Sequence, residues 1–74
     1  MKVSIEYCVA WNYQPQAASL ADALYDKYEI KSELIKSGGG AFEVTLEGEK
    51  IFSKLSVGRF PENSEIINII ESKK

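Results

Sequence analysis

Residues 2 to 7 alternate, with Val3, Ile5 and Tyr7 set against Lys2, Ser4 and Glu6, which is the period of a strand with one buried face. The strand runs into Cys8. From Pro15 the period changes: Ala17, Leu20, Ala21, Leu24 and Tyr28 recur at helical spacing and predict one amphipathic helix over 15–28. A proline suits its first turn, where the missing N–H had no intrahelical partner to lose. Alternation returns at Ile30, Ser32 and Leu34 and stops at Gly38-Gly39-Gly40. It resumes at Phe42, Val44 and Leu46, turns at Glu47-Gly48-Glu49, and continues through Ile51, Ser53, Leu55 and Val57. These are three more strands, the last two a hairpin. After a loop from Gly58 to Asn63, Ile66, Ile67 and Ile70 mark a closing helix over 64–72, with Asn63 or Ser64 as its cap.

The order is therefore β-α-β-β-β-α. A helix between the first two strands makes them parallel with a right-handed crossover, and a tight turn makes the last two antiparallel, so the sheet is four-stranded and mixed. The other strand faces carry Lys2, Ser4, Glu6, Lys31, Glu33, Glu43, Thr45, Glu47, Lys50 and Lys54, interrupted by Ile35 and Phe52. That face is expected to be wet. Both helices then cover the opposite face, giving an α/β two-layer sandwich, the minimal form of a thioredoxin-like fold, as a single domain over 1–74.

Composition narrows the chemistry. The 74 residues are 45% hydrophobic, and 9 Lys plus Arg against 11 Asp plus Glu leave a net charge of −2, with no basic excess for nucleic acid or an anionic membrane. Histidine is absent and there is a single cysteine, which excludes a histidine-based triad, a His or Cys zinc cage and an intrachain disulfide. No metal and no bound cofactor is expected. No apolar run approaches the roughly 18 residues of a membrane span, and the chain opens on a strand rather than a leader. With one unpaired cysteine, the expected location is a reducing cytoplasm.

Cys8 falls where the first strand meets the first helix, a junction at which loop N–H groups and a helix dipole can stabilise a thiolate; the competing reading is a buried cysteine acting as a small hydrophobe. Gly38-Gly39-Gly40 precedes a strand and lacks a Gly-Lys-Ser/Thr ending, so it is no phosphate cradle. It suits a turn with positive φ, or a backbone edge approached closely by another chain, and thioredoxin-like topology places it beside Cys8. Trp11, Tyr13, Phe60 and Pro61 either cover the helix ends or form an apolar docking patch. Arg59, the only arginine, either supports a thiolate or binds a carboxylate next to Cys8, or is a solvated charge. The carboxylates are scattered and imply no acid/base pair.

Three segments, Tyr7-Cys8-Val9-Ala10-Trp11-Asn12-Tyr13, Ser37-Gly38-Gly39-Gly40-Ala41-Phe42-Glu43-Val44 and Gly58-Arg59-Phe60-Pro61, together resemble the selenoprotein W-like (Rdx) family, which includes selenoproteins W, T and H. The similarity runs nearly the full length. It implies a thioredoxin-like fold, a thiol or selenol redox role through Cys-x-x-Cys or Cys-x-x-selenocysteine in the first loop, and glutathione or a protein disulfide as partner. Carried onto this chain, Cys8 matches the first cysteine and Tyr13 the aromatic two positions after the second redox residue. Substrate contacts are expected from Tyr13, Gly39, Gly40, Ala41, Arg59 and Phe60. Trp11 stands where the second redox residue belongs, and a tryptophan can neither form nor resolve a disulfide.

Two readings of position 11 follow: a UGA codon meaning selenocysteine but written as tryptophan, or a native tryptophan in a monothiol protein or binding module. The function implied is that of a thiol-disulfide oxidoreductase whose Trp11 form reacts once and does not turn over. The alternative is a non-enzymatic interaction module using Trp11, Tyr13 and Phe60. Mixed charges on the wet face predict a monomer, and a Cys8-to-Cys8 disulfide is the route to a dimer.

Overall fold

The computed structural model describes residues 1–74, which form β1 (Val3–Cys8), α1 (Gln14–Tyr28), β2 (Glu33–Ser37), β3 (Phe42–Leu46), β4 (Glu49–Ser53), α2 (Lys54–Val57) and α3 (Asn63–Ser72). The sheet runs in the order β2-β1-β3-β4, with β1 parallel to β2 and antiparallel to β3, and β3 antiparallel to β4. The mixed four-stranded sheet is the expected one. Val3, Ile5 and Tyr7 pair with Leu46, Val44 and Phe42, so six apolar side chains share one face, and Ala17, Leu20 and Leu24 of α1 with Ile66 and Ile70 of α3 pack against them. Those buried positions fall at the spacing read from the sequence. At the Glu47-Gly48 turn both residues have positive φ, 50° and 82°, the geometry whose twist matches a two-residue hairpin.

Four expectations are corrected. The fourth strand does not run through 51–57: it ends at Ser53, whose hydroxyl accepts the Ser56 N–H at 3.2 Å and caps the single turn of α2, closed by left-handed Gly58. Leu55 and Val57 therefore leave the sheet and stand exposed. Second, the phase of β4 is reversed: Thr45 pairs with Lys50 and Val44 with Phe52, so Ile51 is an extra residue in a bulge and Phe52, not Ser53, faces the core. Third, β2 starts at Glu33 rather than Ile30; Leu34 and Ile35 lie on an open sheet edge, and Ile30 packs on the core from the connection out of α1. Fourth, α3 begins one residue earlier than expected, and its cap is Glu62, which exchanges hydrogen bonds with Glu65 in a capping box.

Glu43 also departs from the expected wet face, being only 4% exposed. The turn into α2 folds over it: Ser53 Oγ donates to Glu43 Oε1 at 2.6 Å and Lys50 Nζ approaches at 3.4 Å. Burial works against ionisation, but these donors and the Leu55 backbone N–H outweigh it and hold the carboxyl below its ordinary pKa. Its second oxygen, Oε2, is buried without a hydrogen-bond partner.

Candidate functional site

The end of β1 is held on both sides. Cys8 N–H donates to Ala41 O at 2.8 Å and Val9 N–H donates to Ser37 O at 3.0 Å, which sets the Gly38–Ala41 loop beside Cys8 as thioredoxin-like topology requires. The chain then makes one tight turn before α1. Tyr13 N–H reaches back to Cys8 O at 3.0 Å, and inside that loop Asn12 N–H reaches Val9 O at 3.0 Å, with Asn12 left-handed at φ 59°. A six-to-one bond enclosing a five-to-two bond, with the left-handed residue next to last, is the Schellman pattern, and asparagine tolerates that conformation better than most side chains. Cys8 and Trp11 are thus the first and fourth residues of one closed turn.

Cys8 is a free thiol with 0% exposure. Strand phase groups it with Ser4 and Glu6, and Ser37, its register partner on β2, donates to Glu6 Oε2 at 2.7 Å. Trp11 is the opposite case, 62% exposed, with its indole laid on the Gly40 backbone. A Cβ at Gly40 would stand 2.7 Å from Trp11 Cζ3, and Gly40 has φ 77°, so the position demands glycine twice over. The close approach offered as one reading of the glycine run is made by this chain's own tryptophan.

An edge-to-face series leads inward from that loop. Trp11 meets Tyr13 at 6.1 Å between ring centroids, Tyr13 meets Phe60 at 4.6 Å, and Phe60 meets Phe42 at 5.3 Å. Tyr13 and Phe60 are half-buried and pack on the core, so of the aromatic residues expected to form a patch only Trp11 is largely free. Lys54 Nζ lies over this series, 5.1 Å from the Tyr13 ring and 5.3 Å from Phe60.

Arg59 does not face Cys8. Its two terminal nitrogens reach the two Glu65 oxygens at 2.9 Å each, and Nη1 also donates to Phe60 O at 3.1 Å. The paired hydrogen bonds lower the Glu65 pKa and raise that of Arg59. A cleft of about 500 Å³ opens between Pro15, Gln16 and Ser19 of α1 and the Phe60–Ser64 segment, floored by Phe42. Neither Cys8 nor Trp11 lines it. No group of three or more His, Cys, Asp or Glu side chains gathers as a metal site would need.

Sequence reasoning missed Lys54 and Glu43 because both were assigned to the wet strand face. The available signal was Ser53, a capping residue five positions before Gly58, which brackets a helical turn.

The model of the Rdx family matches residues 2–72. The chain belongs to the Rdx family. Among curated proteins this Rdx chain is 36% identical over 73 residues to Migration and invasion enhancer 1 of Bos taurus, covering 95% of the chain and 62% of that protein. It is 35% identical over 71 residues to its Mus musculus counterpart, covering 92% and 60%. The chain thus spans about three-fifths of the length of these relatives. Among solved structures, the selenoprotein W-related protein of Vibrio cholerae superposes with a TM-score of 0.89 at 24% identity, covering 96% of this chain and 92% of that one. A protein from Bordetella parapertussis superposes at 0.92 with 21% identity, covering 99% and 96%. At such identity the superpositions establish the thioredoxin-like fold of this Rdx domain. No helix is long and apolar enough to cross a membrane.

Proposed function

We propose that this Rdx chain is a thiol redox protein of a reducing, cytoplasmic compartment, acting by thiol-disulfide exchange through Cys8 with glutathione or a protein disulfide. The observation that supports the reading is the turn Cys8–Tyr13: two backbone bonds close it at the entrance to α1, with the Cys8 thiol at its start and position 11 inside it. α1 has neither a side-chain cap nor an acidic residue in its first turn, so its positive end is left uncompensated beside the thiol loop. A selenocysteine or cysteine at position 11 completes a two-residue centre. It attacks the disulfide, releases one thiolate, and the mixed bond is displaced by Cys8.

With Trp11 only half of that sequence remains. The Cys8 thiolate attacks a disulfide, a Cys8–sulfur bond forms, the substrate sulfur–sulfur bond breaks, and one thiolate leaves; Cys8 is oxidised and the leaving thiol reduced. Release then needs an external thiol such as glutathione. Cys8 is fully buried, so the reaction requires a local opening that exposes the thiol. The expected result is a single equivalent of reaction with a disulfide reagent and no turnover in insulin reduction; sustained turnover by the Trp11 protein refutes the mechanism. Reading codon 11 of the gene separates the two forms: UGA or a cysteine codon gives the two-residue centre, and UGG leaves a monothiol.

One observation favours a second reading, an interaction module. Leu55 and Val57 of α2 are 63% and 54% exposed, and with Trp11 and Val9 they add apolar surface outside the core. In that reading Cys8 resists alkylation until the protein unfolds, and Cys8→Ser leaves partner binding intact.

A further inference from the structure

We propose that Lys54 is the carboxylate-recognition residue of the Cys8 site, selecting anionic thiols and disulfides of the glutathione class over neutral ones; in its kinetic part this rests on the redox reading above. Lys54 opens α2, and its ammonium lies on the faces of Tyr13 and Phe60. Tyr13 is the residue whose amide closes the Cys8 turn and whose ring meets Trp11. The cation is thereby attached to the mouth of the thiol loop.

Charge accounting sets it apart from its neighbours. Lys50 is paired with Glu43, Arg59 with Glu65, Lys73 with Glu49 and Lys74 with Glu71, while Lys54 has no carboxylate within 4.0 Å. Aromatic faces hold an ammonium through their quadrupole and leave its full charge available to a ligand. The guanidinium of Arg59, which could also take an anion, is already filled from within by Glu65. A carboxylate arriving beside Trp11 and Tyr13 therefore meets an ammonium that no carboxylate of the chain neutralises, and a disulfide carrying carboxylates near its sulfurs matches that pairing.

The experiment uses a non-reactive anion first. S-methylglutathione is titrated into the folded protein, and amide and indole resonances are followed in wild type, Lys54→Gln and Lys54→Arg. Tyr13, Trp11 and residue 54 are expected to shift in wild type and in Lys54→Arg, with affinity about threefold weaker in Lys54→Gln, the worth of one unit charge at ~7 Å in a water-like dielectric. The difference should vanish at high salt. In a second arm, Cys8 is reacted with the dianionic dithiobis(nitrobenzoate) and with neutral dithiodipyridine. Lys54→Gln is expected to slow the anionic reagent about threefold and leave the neutral one unchanged, whereas loss of a structural role would slow or speed both. Equal S-methylglutathione affinity in wild type and Lys54→Gln, or no binding to either, overturns the proposal. If neither reagent reaches native Cys8 while S-methylglutathione still depends on Lys54, the redox reading fails and the anion site stands.

Discussion

Replacing Gly40 by alanine should destabilise the fold, and by an amount that depends on residue 11. Gly40 has φ 77°, and a left-handed backbone costs an L-residue roughly 1–2 kcal/mol, partly offset by the ~0.4–1 kcal/mol that alanine gains from a less flexible unfolded chain. That part, about 1 kcal/mol net, is independent of the neighbours. The new methyl would also stand 2.7 Å from Trp11 Cζ3 and 3.1 Å from Cε3, inside any real contact distance. Trp11 is exposed enough to rotate away, so the clash is relieved by surrendering the indole's seat on Gly40 and its edge contact with Tyr13, about 0.5–1 kcal/mol.

Urea denaturation of wild type, Gly40→Ala, Trp11→Ala and the double variant, all reduced, closes a mutant cycle. The expected costs of Gly40→Ala are about 1.5–2 kcal/mol with Trp11 present and about 1 kcal/mol without it, a coupling of about 0.5–1 kcal/mol. For a domain of this size 1 kcal/mol moves the melting temperature by roughly 4–8 °C, so a thermal scan shows the same ordering. An equal cost in both backgrounds would mean that the indole does not rest on Gly40. No cost in either would mean that the glycine is not left-handed.

Glu43→Gln should lower stability at pH 7 by about 1–3 kcal/mol, because a buried acceptor of hydrogen bonds from Ser53 and Leu55 is weakened. The Glu43 pKa is lowered on folding from 4.5, so its contribution is complete above that value and is lost as pH falls through the folded pKa; the gap between wild type and variant should close in acid, as urea midpoints from pH 7 to pH 3 will show. Tyr28 behaves in the opposite sense: burial and then the hydroxyl's hydrogen bond to Glu71 push its pKa up to about 12, so it protects the fold below pH 10 and that protection fades as pH rises towards 12. An ultraviolet titration should show Tyr28 ionising late, and Tyr28→Phe should remove that late step. Phe60→Leu breaks two edge-to-face pairs and should cost roughly 1–3 kcal/mol in denaturant, with no change in Trp11 emission if the inner part of the aromatic series is the part that stabilises.

Much of the fold was legible because its elements obey one period each. Val3, Ile5 and Tyr7 alternate without interruption and α1 shows its stripe from Ala17 to Tyr28, so both appear where the pattern puts them. The bulge at Val44/Thr45 was invisible for a physical reason: one extra residue inverts every later side chain, and Lys50-Ile51-Phe52-Ser53 reads plausibly in either phase. Leu55 and Val57 have strand propensity, but Ser53 and Gly58 override it from the two ends of a single turn. At the site, the position of Cys8 beside the glycine loop followed from topology. The ion pairing of Arg59 did not, because it depends on where the first turn of α3 sets Glu65, a contact that no local pattern encodes.

The turn from Cys8 to Tyr13 is closed by main-chain groups only, Tyr13 N–H to Cys8 O and Asn12 N–H to Val9 O, and its one unusual dihedral belongs to Asn12. Those two bonds use no side-chain atom of residue 11, whose indole adds only its contacts with Gly40 and Tyr13. A different side chain at position 11 therefore leaves both bonds that close the turn in place and forfeits only the indole's contacts, so the identity of that residue is uncoupled from the backbone that presents it.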